Sequence, residues 1–125
     1  MTSKLTTIML VDDNSQILEY EKEILESYGL KVVTAESGPQ CLAAAKENPP
    51  DMILLDVSMP GMNGFVVCEE LRKFSHVPVI FVTVGGGDND EVTAFNLGAD
   101  GFVTKPFSGD TLVARINSVL RRYSS

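Results

Sequence analysis

Apolar residues in this chain gather into five short runs. Between the runs they recur every three or four positions. The runs at 6–11, 30–35, 52–56, 79–83 and 101–104 are rich in β-branched and apolar residues, most continuously at 52–55 and 79–82. Continuous apolar runs of that length predict strands buried on both faces. After the first run, Asn14 or Ser15 can cap a helix. Its apolar face is Ile17, Leu18, Ile24, Leu25 and Tyr28, and its solvated face carries Glu19, Glu21, Lys22, Glu23 and Glu26 before Gly29 stops it. A second helix opens at Ser37-Gly38-Pro39 and closes at Asn48-Pro49-Pro50. A third starts at Gly64 and carries Phe65, Val66, Cys68, Leu71 and Phe74. A fourth, short helix is capped by Asp88 or Asn89 and ends at Gly98 after a pliant Gly85-Gly86-Gly87 hinge. The last runs from Ser108 to Arg122, with Leu112, Ile116, Val119 and Leu120 inward and Arg121-Arg122 near its negative C-terminal dipole. Strand and helix alternate five times with short connections. This predicts an α/β domain, a parallel five-stranded sheet with helices on both faces, whose right-handed crossovers leave few topologies.

Composition narrows the function. At 125 residues one domain is expected, covering 1–125, and the 44% hydrophobic content suffices for a core without staples. A net charge of −7 argues against direct nucleic-acid binding, which needs clustered Lys and Arg. Cys41 and Cys68 match no metal spacing and read as reduced thiols, as in a cytoplasmic protein. No apolar run approaches the ~20 residues of a membrane span, and Met1-Thr2-Ser3-Lys4 leads directly into a strand rather than a signal peptide.

The chemistry gathers at strand ends. The first run stops at Asp12-Asp13, the third at Asp56, the fourth at Thr83 and the fifth at Lys105. A parallel sheet puts all these tips on one edge, where ligands bind in open α/β folds. Taken singly, such residues are turns, caps or solvated charges; their coincidence at successive tips is what carries weight. Crowded carboxylates repel unless a cation joins them, and a hard divalent ion such as Mg²⁺ takes oxygen ligands while keeping room for water or phosphate. Asp56, on the central strand, is placed to act as a nucleophile toward phosphorus, with Lys105 supplying positive charge and Thr83 a hydroxyl.

At this point the chain resembles the receiver domains of two-component response regulators. The likeness rests on Leu10-Val11-Asp12-Asp13-Asn14, Leu54-Leu55-Asp56, Met59-Pro60-Gly61-Met62-Asn63-Gly64, Val82-Thr83 and the stretch Gly98-Ala99-Asp100-Gly101-Phe102-Val103-Thr104-Lys105-Pro106-Phe107. It implies a flavodoxin-like (βα)5 three-layer sandwich with strand order 2-1-3-4-5. It also implies that Asp56 accepts a phosphoryl group from a histidine kinase or histidine phosphotransfer protein. Mg²⁺ would be held by Asp13, Asp56 and the backbone carbonyl of Ser58, with Asp12 acting mainly through water. Lys105 and Thr83 would meet the phosphoryl oxygens, Phe102 would rotate behind Thr83, and the Lys105–Pro106 bond would be cis. The implied output is a changed face on the fourth helix, fifth strand and fifth helix for a downstream partner or output domain. No catalytic turnover is implied beyond the domain's own phosphorylation and dephosphorylation. The chain ends soon after the last helix, as a stand-alone receiver or a piece of a longer regulator would.

Some positions depart from the resemblance. Val84 stands where a smaller residue is usual and is expected to narrow access to Asp56. Gly101 and Thr111 replace acids often used in dimer salt bridges, although Arg115 is present. His76, the only histidine, sits in a loop away from the acidic tips and reads as an exposed residue. Three rival readings are weaker. A haloacid-dehalogenase-type phosphohydrolase needs an acid at Ser58. A flavin binder needs a Gly/Ser/Thr-rich first loop where Asp12-Asp13 stand. A degenerate receiver, working without phosphorylation, would not need the full set of acids, Thr83 and Lys105.

Overall fold

A computed structural model describes residues 6–84, 88–105 and 108–123. The elements follow the expected order: β1 (Thr7–Val11), α1 (Ser15–Ser27), β2 (Lys31–Ala35), α2 (Gly38–Glu47), β3 (Met52–Asp56), α3 (Gly64–Leu71), β4 (Val79–Val84), α4 (Asp88–Asn96), β5 (Gly101–Lys105) and α5 (Gly109–Tyr123). All strand pairs are parallel, and the order across the sheet is β2-β1-β3-β4-β5. The topology is therefore flavodoxin-like, with the strand order switching at β1 and β3.

Strand alternation builds two cores. Ile8, Leu10, Met52, Leu54, Ile80, Val82 and Val103 turn to one side and pack with Leu18 and Leu25 of α1 and Leu112, Ile116 and Val119 of α5. Met9, Val11, Ile53, Leu55, Val79 and Phe81 turn to the other side, toward Cys41, Val67, Cys68, Leu71 and Ala94 on the second, third and fourth helices. A strand covered on both faces gains nothing from polar alternation, which is why β3 is buried from Met52 to Asp56. Cys41 and Cys68 are buried free thiols, and burial pushes the Cys41 thiol up to about 12, so neither is a ready nucleophile.

Local chemistry fixes the boundaries. Asn14, not Ser15, caps α1 by accepting from the N–H groups of Gln16 and Ile17. Ser37 caps α2, and Asn63 caps α3. Three side-chain expectations are corrected. Tyr28 lies outside the core, its hydroxyl bonded to Asp110 at the start of α5. Phe74 lies beyond the end of α3 and is exposed, with the Lys46 ammonium 5.0 Å from its ring centre. Within α3 it is Val67, not Val66, that faces inward. The apolar run Phe65-Val66-Val67 leaves the phase of a helix ambiguous, and the Asn63 cap decides it. The Gly85–Gly87 hinge, the side chains expected to cap α4 and the Lys105–Pro106 bond lie outside the described residues.

At the far edge of the sheet from the acidic tips, Asp100 ties three elements together. Its carboxylate accepts from the Val79 N–H at 3.0 Å and the Tyr123 hydroxyl at 2.5 Å, with Arg72 at 3.8 Å. Arg72 also donates to the carbonyls of Val77 and Gly98. This clamp joins α3, β4 and the end of α5.

Candidate functional site

The C-terminal tips of β1, β3, β4 and β5 meet on one edge because the ladders are in register: Val11 pairs with Leu55, Asp56 with Val82, and Val84 with Lys105. Chain positions far apart thus deliver Asp12, Asp13, Asp56, Thr83 and Lys105 to one place. One carboxylate oxygen from each of Asp12, Asp13 and Asp56 lies within 4.8 Å of the others. Asp12 and Asp56 are buried, at 4% and 8% exposure, whereas Asp13 faces solvent.

Asp12 is held from two sides. Its carboxylate accepts from the Asn14 N–H at 2.9 Å and from the Lys105 ammonium at 3.0 Å. Burial alone would lower the Lys105 value, but the hydrogen bond and charge of Asp12, with Glu21 and Asp56 behind, raise it above the ordinary range. Lys105 is therefore a fixed cation at the site. Asp56 has a weaker anchor, a 3.4 Å contact from the Ser58 N–H. Desolvation, then the charge of Asp12, pushes its carboxyl up to about 6 despite the opposing pull of Lys105. A buried carboxyl raised by desolvation and by two neighbouring acids is an oxygen site short of positive charge. Three carboxylates of that kind suit a hard, oxygen-loving divalent cation, so the residues fit the expected Mg²⁺ site.

The loop after β3 shapes the pocket. Gly61 has φ of +79°, a conformation that an L side chain resists. Gly64 has no room for a side chain at all: a Cβ there would sit 2.2 Å from the Asp56 backbone oxygen. The Gly64 N–H donates to the Val57 carbonyl at 2.9 Å, pinning the start of α3 directly behind the tip of β3.

Thr83 is buried at the end of β4, at 3% exposure. Val84 follows with 75% of its surface exposed, in register with Lys105. Phe102 is half-buried on β5, paired across the ladder with Phe81. It lines a cleft of about 480 Å³ with Glu91, Thr104, Ser108, Thr111 and Arg115. His76 is exposed in its loop, apart from the acidic cluster.

Glu21 is the correction that matters most here. Expected on the solvated face of α1, it is buried at 8% exposure. Desolvation lifts its carboxyl to about 7, with Lys105, Asp12 and Asp56 the charges that reach it. The spacing Leu18, Glu21, Leu25 already placed it on the inward stripe (i, i+3, i+7). Residue type outweighed position in the expectation, and position prevails in the structure.

Among the described residues no helix is long and apolar enough to cross a membrane. The family model for the response regulator receiver domain matches residues 8–117. The probable transcriptional regulator ycf27 of Pyropia yezoensis is 42% identical over 122 residues, covering 98% of this chain and 50% of that protein. The sensory transduction protein RegX3 of Mycolicibacterium smegmatis is 40% identical over 118 residues, covering 94% and 52%. The chain spans about half the length of these curated relatives. A response regulator receiver domain from Clostridium thermocellum superposes with a TM-score of 0.90 at 32% identity, covering 96% of this chain and 98% of that one. The Vibrio cholerae chemotaxis protein CheY4 does so with a TM-score of 0.86 at 30% identity, covering 93% and 99%. The degenerate alternative finds no support, since the acidic trio, Thr83 and Lys105 are all present and gathered. Fold, site and likeness agree: this chain belongs to the response regulator receiver domain family of two-component signalling.

Proposed function

We propose that this receiver accepts a phosphoryl group on Asp56 and uses it to switch a partner-binding face. The observation that carries the reading is the convergence of Asp12, Asp13 and Asp56 within 4.8 Å, with Lys105 fixed against Asp12. The donor is a phosphohistidine on a histidine kinase or histidine phosphotransfer protein. An Asp56 carboxylate oxygen attacks phosphorus, the P–N bond of the donor breaks, and the released imidazole takes up a proton. Asp12, Asp13, Asp56 and the Ser58 carbonyl would hold Mg²⁺, whose charge offsets the repulsion between the carboxylates and the incoming phosphate.

Phosphorylation leaves roughly two negative charges on Asp56. Lys105 turns from Asp12 toward the new oxygens, and the Thr83 hydroxyl donates to them. Phe102 then repacks in the space behind Thr83. Moving a switch from ~1% to ~99% active needs about 5.5 kcal/mol. A few charge-assisted hydrogen bonds of ~1.5–3 kcal/mol each supply it. The readout is the α4–β5–α5 face, where Phe102, Thr111 and Arg115 line one cleft. The ultimate output belongs to a downstream partner or to chain beyond this domain, as the twofold length of the curated relatives supports. The receiver acts on no other substrate and touches no nucleic acid itself.

The test is incubation with acetyl phosphate or beryllofluoride, with and without Mg²⁺. The expected result is a mass gain of one phosphoryl group with acetyl phosphate, and a conformational change with either reagent, both dependent on Mg²⁺ and both absent in Asp56→Asn. Modification that persists in Asp56→Asn would refute the assignment of Asp56.

A further inference from the structure

Among the described residues four polar or charged side chains are buried: Asp12, Asp56, Thr83 and Glu21. The first three belong to the site, and Glu21 lies on α1 beside it. Glu21 lies on the inward stripe of α1 between Leu18 and Leu25, both of which pack with Leu10, Leu54 and Val103. Side chains alternate along a strand, so Asp12, two past Leu10, emerges on the same layer. So do Asp56, two past Leu54, and Lys105, two past Val103. Glu21 therefore overlooks, from the helix side, the row in which Lys105 pairs with Asp12.

The charges that act on Glu21 come from three strand tips: Lys105 on β5, Asp12 on β1 and Asp56 on β3. Asp110 of α5 is engaged by Tyr28, and Lys31 is exposed at the opposite end of β2. Among the described residues, Lys105 is the cation whose charge acts on Glu21, and Glu21 in turn is one of the acids acting on Lys105.

We propose that Glu21 is a positioning residue that acts through Lys105, drawing its ammonium toward α1 and Asp12 and so restraining its turn toward a phosphoryl group on Asp56. The inference rests on the phosphoacceptor reading above. When Glu21 is ionised it restrains Lys105 and adds negative charge behind Asp56, and both effects slow the arrival of an anionic donor. When Glu21 is protonated the restraint is released.

The experiment compares phosphorylation rates of the whole chain from acetyl phosphate at saturating Mg²⁺, for wild type, Glu21→Gln and Glu21→Leu, across a range of pH. Taking the ratio of variant to wild-type rate cancels the titration of the donor. The ratio is expected near one in mild acid and to climb to about three- to tenfold above pH 8, the effect of one partly screened charge. Gln and Leu should behave alike, since both lack the charge. Melting curves on the same samples establish that each variant is folded. A ratio that does not change with pH, or a Gln variant that matches wild type while Leu differs, would mark packing alone and overturn the proposal. A wild type that takes up no phosphoryl group overturns the parent reading and this inference together, whereas a phosphorylated wild type with a flat ratio sinks only the inference.

Discussion

Removing divalent cations and raising the pH should destabilise this domain. Asp56 goes from an ordinary 3.8 to about 6 in the fold, and Glu21 from 4.5 to about 7. A carboxyl whose value is raised by folding holds its proton longer in the native state than in the unfolded chain. The native state then binds more protons between the two values, so stability falls as pH rises through that window. For Asp56 the loss runs from about pH 4 to 6, for Glu21 from about pH 4.5 to 7, and neither contributes further change above that. Each shift corresponds to about 3 kcal/mol at 1.36 kcal/mol per pH unit. The two acids share their mutual repulsion, so together they cost less than twice that. Against a typical 5–15 kcal/mol of total stability, such a loss is large. The assay is urea unfolding with a chelator present, at pH values between about 5 and 8. Unfolding midpoints should fall from about pH 5 to about 7 and level off above that, Asp56→Asn and Glu21→Gln should each flatten the profile, and added Mg²⁺ should recover stability at the alkaline end. Stability that stays level or rises between about pH 5 and 7 without cation, or variants less stable than wild type at the alkaline end, would refute the electrostatic account.

Three further outcomes follow from the packing. Gly64→Ala places a Cβ against the Asp56 backbone oxygen, so it should cost about 2–4 kcal/mol in denaturation and also slow phosphorylation. Val84→Ala trims an exposed side chain beside Lys105 and should speed both phosphorylation and dephosphorylation with little change in melting temperature; unchanged rates would show that Val84 does not gate access to Asp56. Asp100→Ala removes the acceptor for Val79, Tyr123 and Arg72 and should cost about 2–3 kcal/mol, while Mg²⁺ affinity, read by titration, stays as in wild type because the clamp is at the opposite edge.

The order and kind of all ten elements were legible in the chain because burial on both faces writes itself as unbroken apolar runs, and because turns need particular residues such as Gly29 and Gly98 at positive φ. The acids, Thr83 and Lys105 were legible as site candidates for the same reason: once the strands are parallel, their ends must share an edge. What the chain could not announce is which groups meet there, and how strongly. Helix phase within a three-residue apolar run was settled by the Asn63 cap, and the inward turn of Glu21 by its place between two leucines rather than by its charge. The pairing of Lys105 with Asp12 across the sheet, and the lifting of Asp56 toward neutrality, depend on distance and on exclusion of water. Both are properties of the packed molecule, because an electrostatic energy is set by separation and dielectric, and neither exists until the strands are side by side.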